Sequence, residues 1–203
     1  MIPVLKNNER LSQGDIYRRV PFTKVFETEK SELDYTQYTF KHAIVLSQEC
    51  DLAQNHELRW GTKIKHDKWL FSVLVAPLYN SENFFAGDHL INLGQKMRVI
   101  DDSKTEGKLI KQNQIPRYHY LEFDEDVPLP NSIIDFKQFF SIDIEYLQEI
   151  RDSLFVCRLA ELYRENLSQR FAAFLARIGL PSCDESKNII KNISSDKSTI
   201  IRS

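Results

Sequence analysis

Short stretches of alternation and short apolar runs mark the elements this chain is expected to form. Gly14 and Asp15 open Ile16-Tyr17-Arg18-Arg19-Val20, where apolar and polar positions alternate as a half-exposed strand requires. Pro21 closes that strand or places it at a sheet edge. The segment from Lys30 to Thr39 is charged and aromatic without helical period, and it leads into His42-Ala43-Ile44-Val45-Leu46, a β-branched run that reads as a buried central strand. A polar excursion from Gln48 to Lys68 reads as a long loop. After it, Trp69 to Leu78 gives a second buried strand, ended by Pro77.

Between Asn80 and Gln114 the apolar residues Phe84, Phe85, Leu90, Ile91, Leu93, Met97 and Ile100 recur at spacings nearer to helix than strand, broken by Gly87, Gly94 and Gly107. Short helices are expected there. Tyr118 to Phe123 alternates again, and a turn at Pro128 and Pro130 leads into Ile133 to Phe140, which together suggest an antiparallel pair. Leu154 to Leu159 reads as a last strand. A helix follows from about Leu162 to Ile178, with Leu167, Phe171, Phe174, Leu175 and Ile178 on one stripe, Gly179 at its C-terminal turn and Pro181 preventing continuation. From about Ser182 onward polar residues outnumber apolar ones, the composition of a mobile tail.

Composition narrows the class. A length of 203 residues at 42% hydrophobic content can bury a core in a single domain, here expected over 1–181 with a tail over 182–203. A formal net charge of -2 gives no global field toward nucleic acid or an anionic membrane, so phosphate binding has to be local. No stretch approaches the roughly 20 apolar residues of a membrane span, and Met1 to Asn8 lacks a signal-peptide pattern. A cytoplasmic location follows as an expectation. Cys50, Cys157 and Cys183, odd in number and widely spaced, argue for reduced thiols and against a disulfide framework or a paired-cysteine zinc module.

Gly14-Asp15-Ile16-Tyr17, Ala43-Ile44-Val45-Leu46-Ser47-Gln48 and Phe71-Ser72-Val73-Leu74-Val75-Ala76 together resemble the strand order of the MazF/PemK family of toxin ribonucleases. Ile134-Asp135-Phe136 and Ser141-Ile142-Asp143 are similar to that family's late strand. The resemblance implies an α+β protein built on an SH3-like, mostly antiparallel β-barrel, with a helical insertion at about 81–114 and a C-terminal amphipathic helix. It also implies a homodimer, RNA as substrate and metal-independent cleavage that needs no cofactor. Leu46-Ser47-Gln48-Glu49-Cys50-Asp51 with the closing helix is similar, in addition, to bacterial proteins of mobile or phage-defence gene neighbourhoods.

In that family an Arg after the first strand and a Thr or Ser before the third act on the 2′-hydroxyl and phosphate. Arg18 and Arg19 stand nearest the first position, and a guanidinium offers a fixed fork of donors to a phosphorane. At the second position the chain has Lys65, His66, Asp67 and Lys68, with Thr62 several residues early. His66 could serve there as general acid or base.

Gln48, Cys50 and Asp51 place an amide, a thiol and a carboxylate at the end of a core strand, where sites are usually built. One reading is a nucleophilic or redox thiol activated by His42, His56 or His66. A second is a metal site of Cys50, Asp51 and one of those imidazoles. The plain alternative is a small buried Cys with Asp51 capping the next turn. Arg117-Tyr118-His119-Tyr120 interleaves a cation with aromatics, as a surface that stacks single-stranded bases would, and an alternating strand gives the same letters. Two functions from different classes are therefore expected. One is a barrel that binds and cleaves RNA; the other is a non-catalytic module that holds an antitoxin or a defence-complex subunit.

Overall fold

The computed structural model describes residues 2–5, 10–61 and 63–177. Thr62, the residues from Ile178 onward with Gly179 and Pro181, and the 182–203 tail lie outside the described residues. The fold is α+β, with two antiparallel sheets and helices packed on them.

The larger sheet has six strands: β1 (Val4–Leu5), β2 (Asp15–Glu27), β3 (Leu33–Val45), β4 (Ser72–Pro77), β8 (Phe140–Asp143) and β9 (Phe155–Leu159), in the order β1-β9-β2-β3-β4-β8. The smaller has three, β5 (Tyr79–Asn80), β6 (Tyr118–Leu121) and β7 (Ser132–Asp135), in the order β5-β7-β6. The helices are α1 (Glu49–Trp60), α2 (Ser81–Phe85), α3 (Thr105–Lys111), α4 (Ile144–Leu154) and α5 (Glu161–Leu175). Among the described residues both sheets are open and no barrel closes. The reason lies in the chain path: β4 passes through Pro77 directly into β5, and β7 returns to β8, so strands a single barrel would retain are shared out between two sheets.

Alternation in β4 shows how the core divides. Val73 and Val75 face one side with Tyr17, Val20, Ala43, Val45, Ile142 and α4's Leu147, while Ala76 faces the other with Ile16, Ile44, Phe136 and α5's Leu167, Phe171 and Phe174. Burying each such side chain is worth about 1.5–3 kcal/mol, so both faces are sites of real stabilisation. A third cluster gathers Tyr79, Phe84, Phe85, Leu90, Ile110, Tyr118 and Ile133 around the smaller sheet.

Several expectations are altered. The polar excursion from Gln48 to Lys68 is mostly α1, which buries only Leu52 and Asn55 and therefore shows little apolar period. Ile133 to Phe140 is two strands in two sheets, divided where Asp135 accepts the Lys137 amide at 3.0 Å in a 3-10 turn. Lys30 to Thr39 falls largely in β3. Its outer half pairs only with the outer half of β2, and this two-stranded arm exposes Val25, Leu33 and Tyr35. Pro21 takes the edge alternative, since β9 accompanies β2 only from Asp15 to Tyr17. The expected pairing of residues 118–121 with 132–135 is present, as are the last strand and the helix α5.

Candidate functional site

The Gly14-Asp15 opening builds a buried polar clamp. Gly14 is left-handed (φ 77°), and a Cβ there would lie 2.7 Å from Arg164 Cγ, so only glycine fits. Asp15 is fully buried; its carboxylate accepts from Arg158 Nε at 2.5 Å and Nη2 at 3.2 Å, from the Ser12 amide at 2.9 Å and from the Tyr17 hydroxyl at 3.3 Å. Glu49, the first residue of α1, accepts from Arg10 at 2.5 Å and the Gln13 amide at 2.9 Å, with Arg164 at 3.3 Å. These bonds tie loop, α1, β9 and α5 together and bury Asp15 among its own donors.

The other expected catalytic residues fall in separate places. Gln48 precedes α1 without capping it, and Cys50 is exposed, its Sγ 3.7 Å from both Gln48 Oε1 and Asp51 Oδ1. The buried-cysteine alternative is thus corrected, because α1 begins one residue earlier and turns the thiol outward; Asp51 lies in the helix's first turn and caps nothing. Gln48 and Asp51 line a cavity of about 250 Å³ walled by Leu46, Leu74, Phe171 and Leu175. His66 is exposed on a 3-10 turn with its ring 4.5 Å from Trp69. Arg18 and Arg19 are exposed on β2; Arg18 donates to the Ser153 carbonyl at 3.0 Å, and Arg19 is left-handed (φ 57°), which puts Tyr17 and Val20 in the same core. Among the described residues no hydrogen bond, ion pair or ring contact joins either arginine to Gln48, Cys50, Asp51 or His66, and no three His, Cys, Asp or Glu side chains converge to hold a metal.

Arg117 immediately precedes β6, and Tyr118 to Tyr120 lie in that strand and turn largely inward. Tyr118 and His119 are buried, so neither ring lies open to stack a base. Burial, then Arg170, pushes the His119 imidazole down to about 3, which keeps it neutral in the core. Arg117 grips the buried Asp135 carboxylate in a bidentate pair, 2.8 and 2.5 Å. Tyr120 is half-buried, its backbone held by the Asn113 side chain.

Behind Asp135 lies a grouping that sequence reasoning missed. Tyr38, Phe40 and His42 of β3 face Tyr79 and His89 across a pocket of about 500 Å³. In the sequence, His42 reads only as an activator of Cys50 or as a metal ligand with Cys50 and Asp51. It is the cross-strand neighbour of Arg18, and burial, then Lys41 and Arg18, lower its affinity for a proton. The His89 ring stacks on Phe84 at 4.6 Å and meets the edge of Tyr79 at 4.7 Å. Burial lowers the His89 pKa against the opposing pull of Asp135. Burial therefore disfavours the charged form of both imidazoles, and His42 alone has Arg18 as its cross-strand neighbour. The available signal was a histidine after Gly87-Asp88 in an aromatic-rich segment, which only the tertiary fold brings to His42.

No protein-family model matches the chain, and comparison with curated proteins finds no match.

Proposed function

We propose that the chain binds single-stranded RNA and cleaves it with its own side chains, in the manner of a divergent MazF/PemK-like toxin acting in a toxin-antitoxin or phage-defence setting. The observation that carries this is the neutral His42 at an open pocket with Arg18 as its cross-strand neighbour. His42 takes the proton of a 2′-hydroxyl, whose oxygen then bonds to the adjacent phosphorus. Arg18 stabilises the charge that gathers on the phosphorane oxygens. The P–O5′ bond breaks, leaving a 2′,3′-cyclic phosphate and a 5′-oxygen protonated from solvent. Arg18 remains from the expected catalytic set; Arg19, Gln48, Cys50, Asp51 and His66 take no part in these steps.

The test is incubation of metal-stripped protein with a mixed RNA pool in chelator. Cuts with cyclic phosphate ends are expected, slowed by about 10²-fold or more in His42→Ala and in Arg18→Ala. Intact RNA, or undiminished cutting by His42→Ala, would reject the proposal.

A second reading rests on the β2–β3 arm. Val25 and Tyr35 are direct cross-strand partners, Leu33 is next on the same face, and all three are exposed. Such a stripe suits a protein partner, an antitoxin or assembly subunit. Under this reading, a partner recovered from the native host is lost when Val25, Leu33 and Tyr35 are changed together to Ser.

A further inference from the structure

Tyr79 lines the pocket and is only 5% exposed, yet its hydroxyl has no hydrogen-bond partner among the described residues. A buried hydroxyl left unpaired is costly, and phenylalanine would fill the same space without that cost. Beside it, the His89 ring has the Asn83 carbonyl as its hydrogen-bonding neighbour, and neither of its nitrogens meets a side-chain partner among the described residues. Two polar residues in ring contact with each other therefore line a pocket that Phe40 and Tyr38 also line.

A ligand completing this site has to be planar, to lie between aromatic walls, and must carry both donors and acceptors on one edge to match a phenol and an imidazole. The buried Asp135 carboxylate acts on both Tyr79 and His89, which disfavours an anion at the floor. A phosphate is instead accommodated outside, toward the exposed Lys41 at the pocket's edge. We infer that this pocket receives one unstacked nucleobase of the RNA and reads its edge with Tyr79 Oη and the His89 imidazole. This assignment rests on the RNA reading above and makes the pocket the source of sequence preference.

The experiment is titration of the full chain with each of the four ribonucleoside 5′-monophosphates, followed by the NMR signals of His89 and Tyr79. One or two bases should bind about tenfold or more tightly than the rest, and Tyr79→Phe and His89→Gln should each erase that preference. Equal binding of all four bases, no response at His89 and Tyr79, or an unchanged preference in Tyr79→Phe would overturn the inference. Thermal unfolding of Tyr79→Phe at or above that of the parent chain shows that the loss is not unfolding. The two proposals fail separately: base preference with intact RNA rejects cleavage alone, and cleavage without base preference rejects the subsite alone.

Discussion

Two buried polar groupings, one in each sheet, differ in a single respect. At the start of β2, Asp15 is enclosed by four donors, and both of its carboxylate oxygens are hydrogen-bonded. At β5, Tyr79 and His89 are enclosed by aromatic rings, and their polar atoms meet no side-chain partner among the described residues. The first arrangement stabilises and orders the fold; the second gives up some stability and keeps a place for something from outside. Satisfied polar burial marks scaffold here, and unsatisfied polar burial marks a site.

Four measurements sharpen that contrast. The largest effect belongs to the clamp: Arg158→Leu leaves the Asp15 carboxylate buried and unpaired and should cost about 3–5 kcal/mol in chemical denaturation. Asp15→Asn added to it should restore part of the loss; no restoration would mean the guanidinium acts through packing and its bond to the Arg10 carbonyl instead. Next is acid sensitivity on β6. Because burial holds the His119 imidazole at about 3, below the value of about 6.5 in the unfolded chain, the unfolded state binds the extra proton in that window. Stability should therefore fall as pH drops below 6.5, with a slope approaching 1.4 kcal/mol per pH unit until about pH 3. His119→Leu should flatten that slope, and an unchanged slope would place the sensitivity elsewhere. Gly14→Ala should cost about 1–3 kcal/mol, from its left-handed backbone and the close approach of Arg164. Smallest is Tyr79→Phe, whose stability should stay within about 0.5 kcal/mol of the parent or rise, because an unpaired hydroxyl is removed. A loss well beyond that would show that Tyr79 is scaffold after all.

The sequence made the elements visible wherever apolar letters alone fill the core. Residues 42–45, 118–121 and 155–159 lie in strands whose buried positions are mostly apolar, and α5 carries a stripe of Leu and Phe. The helix α1 stayed hidden because Asn55 does part of the core's work, accepting the Leu70 amide at 2.9 Å from a buried position. The division of Ile133 to Phe140 stayed hidden because both sheets demand apolar residues on either side of it, and Asp135 is its only sign. In the site, Arg18 was legible from its place near the first strand. His42 and His89 were not, since they stand 47 positions apart in sequence and meet only because β4 delivers the chain into β5.

That delivery has a consequence for how the molecule comes apart. The chain passes between the sheets at Pro77 to Tyr79 and again at Phe136 to Phe139, and both crossings are short and flanked by buried residues on each side. Neither sheet can unravel without pulling on a strand that belongs to the other. Loss of structure on heating should therefore be a single concerted event, in which the pocket vanishes with the clamp and no half-folded form survives to hold a base.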